Sequence, residues 1–271
     1  MAILTDFHTH SHFSGDCETP MTDMITQALS LGMTHLCFTE HFDPDYPVNP
    51  VDSLDFSLDT CAYHNEFLTY KEQYKNKIQL LWGVELGIQS HLYNRLKQYT
   101  SENPFDFIIA SSHLCNGEDP YYPVFFKGKN EADVYGTYFS SILETVKNYQ
   151  DFDIYGHLDY IVRYGPNKDA RYTYDAYRDI FDDILKILIH NGKGIELNTG
   201  GLKYGLKDLH PSTAILKRYK ELGGEIITIG SDAHTPSHLL NHFSRAEEVL
   251  KICGFQYYTI FQNRKPEFIR L

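Results

Sequence analysis

The sequence predicts an α/β fold built on a parallel sheet, and three observations carry that prediction. Short apolar runs rich in β-branched and aromatic residues alternate with longer stretches of helical spacing. Several of those stretches open on proline or close on glycine, the punctuation of helix ends. No internal repeat, low-complexity segment or long linker interrupts the alternation, so residues 1–271 are expected to form a single domain.

The first strand is expected over Ile3 to His8, and the helix Pro20 to Leu31 follows, closed by Gly32. A second strand, His35 to Thr39, leads into the helix Thr60 to Lys75, and a third, Leu80 to Leu86, into Ser90 to Tyr99. Phe105 to Ser111 is the fourth, ahead of the helix Asn130 to Asn148, and Phe152 to Tyr155 the fifth, ahead of Thr173 to His190. Gly194 to Leu197 and Ile226 to Ile229 complete the strands, with helices Pro211 to Leu222 and Ser237 to Ile252 behind them. Asp43 to Leu58, with prolines at 44, 47 and 50, and the aromatic segment Asn116 to Lys129 read as loops over one rim.

Composition narrows the function. With 42% hydrophobic and 14% aromatic residues, the chain can pack a core and resembles neither a disordered nor a fibrous sequence. A formal charge of −12 argues against binding a nucleic-acid backbone or an anionic membrane, both of which need a basic footprint. Any phosphate bound here must find positive charge locally. Cys17, Cys37, Cys61, Cys115 and Cys253 form an odd set without a Cys-x-x-Cys pair, suggesting neither a disulfide framework nor a thiolate zinc site. Met1-Ala2-Ile3-Leu4 is too short for a signal-peptide core, and no apolar run approaches ~18 residues, so a soluble, cytoplasmic protein is expected.

The chemistry lies where the strands stop. His8 and His10 end the first, Glu40-His41 the second, Glu85 the third, His113 the fourth, His157 the fifth, Glu196 and Asn198 the sixth, Asp232 and His234 the seventh. A parallel barrel gathers its carboxyl ends on one face, so residues far apart in sequence meet there. In His8-Thr9-His10, alternation puts both rings on one side of an extended chain, able to share one metal, and Asp232-Ala233-His234 repeats that spacing. A lone histidine such as His35, His64, His91 or His190 carries no such signal. Mixed nitrogen and oxygen donors without thiolate suit zinc, manganese or iron.

Taken in order, Asp6-Phe7-His8-Thr9-His10-Ser11, Thr39-Glu40-His41, Gly83-Val84-Glu85, Ser112-His113, Gly156-His157-Leu158-Asp159 and Gly230-Ser231-Asp232-Ala233-His234 resemble the motifs of the polymerase-and-histidinol-phosphatase family, and within it the stand-alone histidinol-phosphate phosphatases. The resemblance covers essentially the whole chain. It implies a distorted (β/α)7 barrel of parallel strands with the active site at the C-terminal strand ends, holding up to three divalent metals. By position, His8, His10, Glu85 and Asp232 would hold the first; Glu85, as a bridge, with His113 and His157 the second; Asp16, His41 and His234 the third. Other members place a histidine where Asp16 stands, and the histidinol-phosphatase branch an aspartate.

The function so implied is hydrolysis of L-histidinol phosphate to L-histidinol and inorganic phosphate, by attack of a metal-bridging hydroxide, with Asp232 or His234 handling the proton. Three divalent cations bring a charge of about +6, of which Asp16, Glu85 and Asp232 offset about 3, which supplies the missing positive field. The resemblance also implies a cationic side chain after the fifth strand and another after the sixth. Arg163 matches the first and suits a bidentate grip on phosphate. Lys203 stands where the second would be arginine, and offers a point charge in place of a fork. Glu118, Asp119 and the tyrosines of the 116–130 loop are placed to receive the amine and imidazole of the substrate. The alternative is a phosphoesterase of the same type acting on another small phosphomonoester or nucleotide.

Overall fold

The computed structural model describes residues 2–48 and 54–271, so the part of the predicted 43–58 loop around Pro50 lies outside the described residues. Strands β1 (Thr5–Thr9), β2 (His35–Phe42), β3 (Gln79–Gly87), β4 (Phe107–Ser111), β5 (Ile154–Tyr155), β6 (Gly194–Asn198) and β7 (Ile227–Gly230) form one parallel sheet in chain order. Helices α1 (Met21–Ser30), α2 (Thr60–Tyr74), α3 (Tyr93–Glu102), α4 (Glu131–Asn148) and α5 (Arg178–His190) make the first five crossovers, and the short α6 (Gly200–Lys203) with α7 (Thr213–Glu221) makes the sixth. Behind β7 comes α8 (Phe243–Ile252). Parallel strands covered by helices bury both faces, and every residue of β1, β4, β6 and β7 is buried.

The sheet curls until its edges meet at the mouth. Asp232 N–H donates to the His8 carbonyl and His10 N–H to the Ala233 carbonyl, both at 2.9 Å, and Thr9 bridges Ala233 in parallel. Residues of the predicted site thus close the (β/α)7 barrel themselves. The β1–β2 register slips between Asp6 and Thr9, a bulge that re-aims side chains where β1 enters the site.

Where the structure departs from the sequence reading, local backbone chemistry explains it. The predicted helix Ser237 to Ile252 begins only at Phe243, because Pro236–His238 forms a 3-10 turn and His242 takes a left-handed φ of 60°. Beyond the seven expected strands lies an antiparallel hairpin, β8 (Tyr257–Gln262) and β9 (Lys265–Arg270). Its turn residues Asn263 and Arg264 have φ of 49° and 62°, the left-handed pair of a tight hairpin. The turn seats at the opposite end from the mouth: Asp106 Oδ1 accepts from Asn263 N–H at 3.1 Å, and Arg264 Nε donates to Asp153 at 2.7 Å. Phe261 of β8 packs on Phe107 at 5.1 Å between ring centres, and Phe107 meets Phe7 edge to face at 5.3 Å, so the hairpin stoppers the barrel with an aromatic cluster.

Candidate metal centre and substrate cavity

One fully buried carboxylate organises the mouth. Glu85, in β3, directs Oε2 at His8 Nε2 (3.1 Å), His41 Nδ1 (3.1 Å) and His10 Nε2 (3.6 Å). Its Oε1 faces His157 Nε2 (2.9 Å) and His113 Nε2 (3.1 Å). Asp232 Oδ1, reaching in from beyond β7, lies 3.6 Å from His10 Nε2 and 3.8 Å from His8 Nε2. At the rim, Asp16 approaches His234 Nε2 at 3.2 Å and His41 Nε2 at 3.7 Å. The nine residues expected from sequence therefore converge on one spot. His41 lies between two groupings, with Nδ1 towards Glu85 and Nε2 towards Asp16.

Around this cluster lies a layer of acceptors that orients the rings. Glu196 Oε1 takes His8 Nδ1 at 2.6 Å, Ser14 Oγ lies 3.0 Å from His10 Nδ1, and Asp43 Oδ1 takes His113 Nδ1 at 2.7 Å. A ring held by Nδ1 presents Nε2 inward. Glu40 points away from the centre, accepting from the Ser11 and Ser14 hydroxyls at 2.6 Å each. Glu196 and Asn198 likewise support: Glu196 Oε2 accepts from His157 N–H at 3.0 Å and from the Asn198 amide at 3.2 Å. Asp43 was not singled out from sequence, although it sits two residues past His41, on the same side by strand alternation. Gly87 leaves room for it; an added Cβ would overlap the Asp43 carboxylate.

The electrostatics fit a cation site. Burial opposes ionisation of Glu85 and Asp232, yet His8 and the other rings beside them hold both carboxyls well below the usual range. Burial likewise opposes charge on His8, but Glu196, Glu85 and Asp232 push it well above its ordinary value; His41, desolvated yet facing Asp16 and Glu85, rises to about 9. Burial and the neighbouring rings of His41, His234 and His8 drive His10 down. The cluster thus draws positive charge onto itself. Meanwhile Nε2 of His8, His10 and His234 and Oε2 of Glu85 are buried without a hydrogen-bond partner among the described residues. Such orphaned atoms are costly unless something else meets them, and converging lone pairs of imidazole and carboxylate suit a divalent ion. Among the described residues, four triads have donor atoms within 4.8 Å of one another: His8-Glu85-His157, His8-His10-Asp232, His41-Glu85-His113 and His10-His41-His234.

In front of the cluster opens a cavity of about 190 Å³. Arg163 is buried in its wall, its guanidinium carbon 4.5 Å from the Tyr160 ring centre and 4.7 Å from that of Tyr204, with Nη1 3.5 Å from Asp232 Oδ2. Its Nε and Nη2 have no hydrogen-bond partner among the described residues. Across the cavity Asp119 accepts from the Tyr46 hydroxyl at 2.5 Å, and burial raises its carboxyl above the usual value. Glu118 lies outside, exposed and paired with Lys129 at 3.0 Å. Lys203 is also exposed and does not line the cavity; Tyr204 does. In each case an adjacent residue faces inward: Asp119, which the sequence reading also named, beside Glu118, and Tyr204, at the C-terminal end of α6, beside Lys203. Cys17 donates to the His234 carbonyl at 3.1 Å, and burial pushes its thiol up to about 11.

Known proteins match this arrangement. The histidinol-phosphatase of Lactococcus lactis is 33% identical over 261 residues, covering 96% of this chain and 95% of that protein. A crystal structure of histidinol phosphate phosphatase from the same organism, complexed with zinc, L-histidinol and phosphate, superposes with a TM-score of 0.87 at 30% identity, covering 98% of this chain and 99% of that one. A crystal structure of a protein from Listeria monocytogenes shares the fold at 16% identity, with a TM-score of 0.76 and coverage of 89% and 99%. The mouth of the barrel is a divalent-metal centre. Residues 6–200, which carry seven of the nine converging ligand positions and all but the last strand of the parallel sheet, match the PHP domain, and the chain belongs to the PHP-domain family.

Proposed function

We propose that the chain is a metal-dependent phosphomonoesterase that hydrolyses L-histidinol phosphate to L-histidinol and inorganic phosphate. The observation that carries this reading is the Glu85 carboxylate, ringed by histidine nitrogens within 3.6 Å and opening onto a cavity walled by Arg163. His8, His10, Glu85 and Asp232 would hold one ion, Glu85, His113 and His157 a second, and Asp16, His41 and His234 a third; zinc fits this donor set, as manganese or iron would. Divalent ions in such a site activate water and neutralise charge on the phosphoryl oxygens.

The chain's own residues do the rest. Arg163, held between two rings with free N–H groups, grips a phosphoryl oxygen and orients phosphorus. Asp232, whose Oδ2 faces Arg163, and His234 beside it are the groups placed to take or return a proton at the ester oxygen. Asp119 offers a desolvated carboxylate to the amine or imidazole of the substrate, and Tyr46 fixes its orientation. Lys203 and Glu118, being exposed, steer the substrate at most from the rim.

The −12 charge supports a small phosphate ester over nucleic acid, and five free cysteines support a reducing, cytoplasmic setting. We take residues 1–271 as one catalytic unit, because the β8–β9 hairpin completes the barrel floor. Turnover of a panel of phosphomonoesters tests the substrate. Histidinol phosphate should exceed an aryl phosphate in kcat/KM by at least about a hundredfold, since the polar groups facing the amine are left unpaired by the aryl compound. Equal turnover of the two would defeat the specific assignment.

A further inference from the structure

The Gly156-His157-Leu158-Asp159 motif contains a carboxylate that the reaction does not use. Asp159 is 2% exposed and holds three donors at once: Nδ1 of His210 at 2.5 Å, Ser212 N–H at 2.9 Å and the Tyr172 hydroxyl at 3.1 Å. His210 is fully buried, and its backbone pairs with Asn198 at the end of β6. One carboxylate therefore fastens the segment after β5 to the segment after β6.

Two further ties join the same segments. Lys168 Nζ donates to the Tyr204 carbonyl at 2.6 Å, and Lys207 N–H to Asp169 Oδ2 at 2.7 Å. Both of these are exposed, so of the three only the Asp159–His210 tie is shielded from water, where hydrogen bonds are strongest. Between the tied segments lies Arg163. Tyr160, from the β5 side, covers it at 4.5 Å, and Tyr204, from the β6 side, at 4.7 Å. The sandwich exists only while the two segments keep their spacing.

We infer that the Asp159–His210 pair is a positioning device that holds Tyr204 against Arg163 and so preorganises the guanidinium for phosphate. An arginine side chain left free must lose its rotamer freedom on each binding event; one clamped between two rings has lost it beforehand. The inference rests on the reading of Arg163 as the phosphate ligand. The pair acts through Arg163 and Tyr204 and touches neither substrate nor metal ligands' inward atoms, so its removal weakens phosphate binding and leaves the metal set in place.

The test uses the full-length, metal-loaded protein, with inorganic phosphate as inhibitor and L-histidinol phosphate as substrate. His210→Phe, which removes the Nδ1 donor, should raise the phosphate inhibition constant and KM about tenfold while kcat changes less than about threefold and metal content stays constant. His210→Asn, which keeps an N–H near the Nδ1 position, should recover most of the loss; it also serves if His210→Phe fails to fold. Tyr204→Leu should raise the same two constants without touching the Asp159 cluster. If Arg163→Ala weakens phosphate inhibition but His210→Phe and Tyr204→Leu do not, the positioning role is wrong and the Arg163 reading stands. Unchanged inhibition in Arg163→Ala overturns that reading and the inference together, and loss of metal in His210→Asn overturns the inference alone.

Discussion

His8 Nδ1 and Glu196 Oε1 lie 2.6 Å apart, both fully out of solvent, while the other face of the same ring points Nε2 at Glu85. Glu196 lies in β6 and His8 in β1, so the contact reaches across the β7 edge of the barrel and fixes the tautomer of a ligand that serves two donor groupings.

Replacing that partner should therefore cost metal. Glu196→Gln keeps the size and loses the charge, and it should weaken metal affinity by about 10- to 100-fold. Competition against a chromophoric chelator measures it; affinity equal to that of the parent protein would show that Glu196 does not tune His8.

Gly230→Ala strikes the same contact from the side. A Cβ at 230 would overlap both Glu196 Oε1 and the Cβ of His8, so backbone must shift where β7 meets β1. Overpacking of this kind costs about 1–3 kcal/mol, read in denaturant unfolding of the stripped protein, and the loaded protein should bind metal more weakly as well.

The parallel α/β fold was legible because short apolar runs mark buried strands, and histidines and carboxylates at the strand ends stood out as candidate ligands without knowledge of their neighbours; the closed barrel and the full nine-residue set, Asp16 included, came from the resemblance alone. What the sequence hid depends on contacts between distant segments. Asp43 becomes visible only when His113 is placed beside it, and Tyr204, at the C-terminal end of α6, turns into the cavity where its neighbour Lys203 was expected. The β8–β9 hairpin was missed because its turn, Asn263-Arg264, lacks glycine, and β9 carries charge and Pro266, which suit an edge strand but carry little strand signal.

Between two outer helices, the largely buried Asp182 of α5 meets Arg218 of α7 in a forked pair, Oδ2 to Nη2 at 2.6 Å and Oδ1 to Nε at 2.9 Å. The hydrogen bonds from Arg218 draw its carboxyl from 3.8 down to about 2. Because the native value lies below the unfolded one, the ionised carboxylate stabilises the fold at neutral pH, and that stabilisation fades as pH falls from about 4 to about 2. Asp182→Asn should lower stability by about 1 kcal/mol at pH 6, a gap that closes towards pH 2. Thermal melts of both proteins across that range decide it; a gap independent of pH would place the effect in packing, not charge.

Thiol chemistry gives an independent check on the core. Cys17, Cys37, Cys115 and Cys253 are buried, and burial raises all four thiols, Cys17 and Cys115 to about 11, whereas Cys61 is exposed. Since the thiolate is the nucleophile, a disulfide reagent should titrate one group quickly in the native protein and five after unfolding. Two or more fast thiols would mean that a buried site opens readily.

The most direct test of the central claim joins metal content to activity. The purified protein should carry divalent metal by elemental analysis, lose at least about a thousandfold in histidinol-phosphate turnover when a chelator strips it, and regain activity when zinc, manganese or iron is returned. Full turnover by the stripped protein would contradict the account at its root.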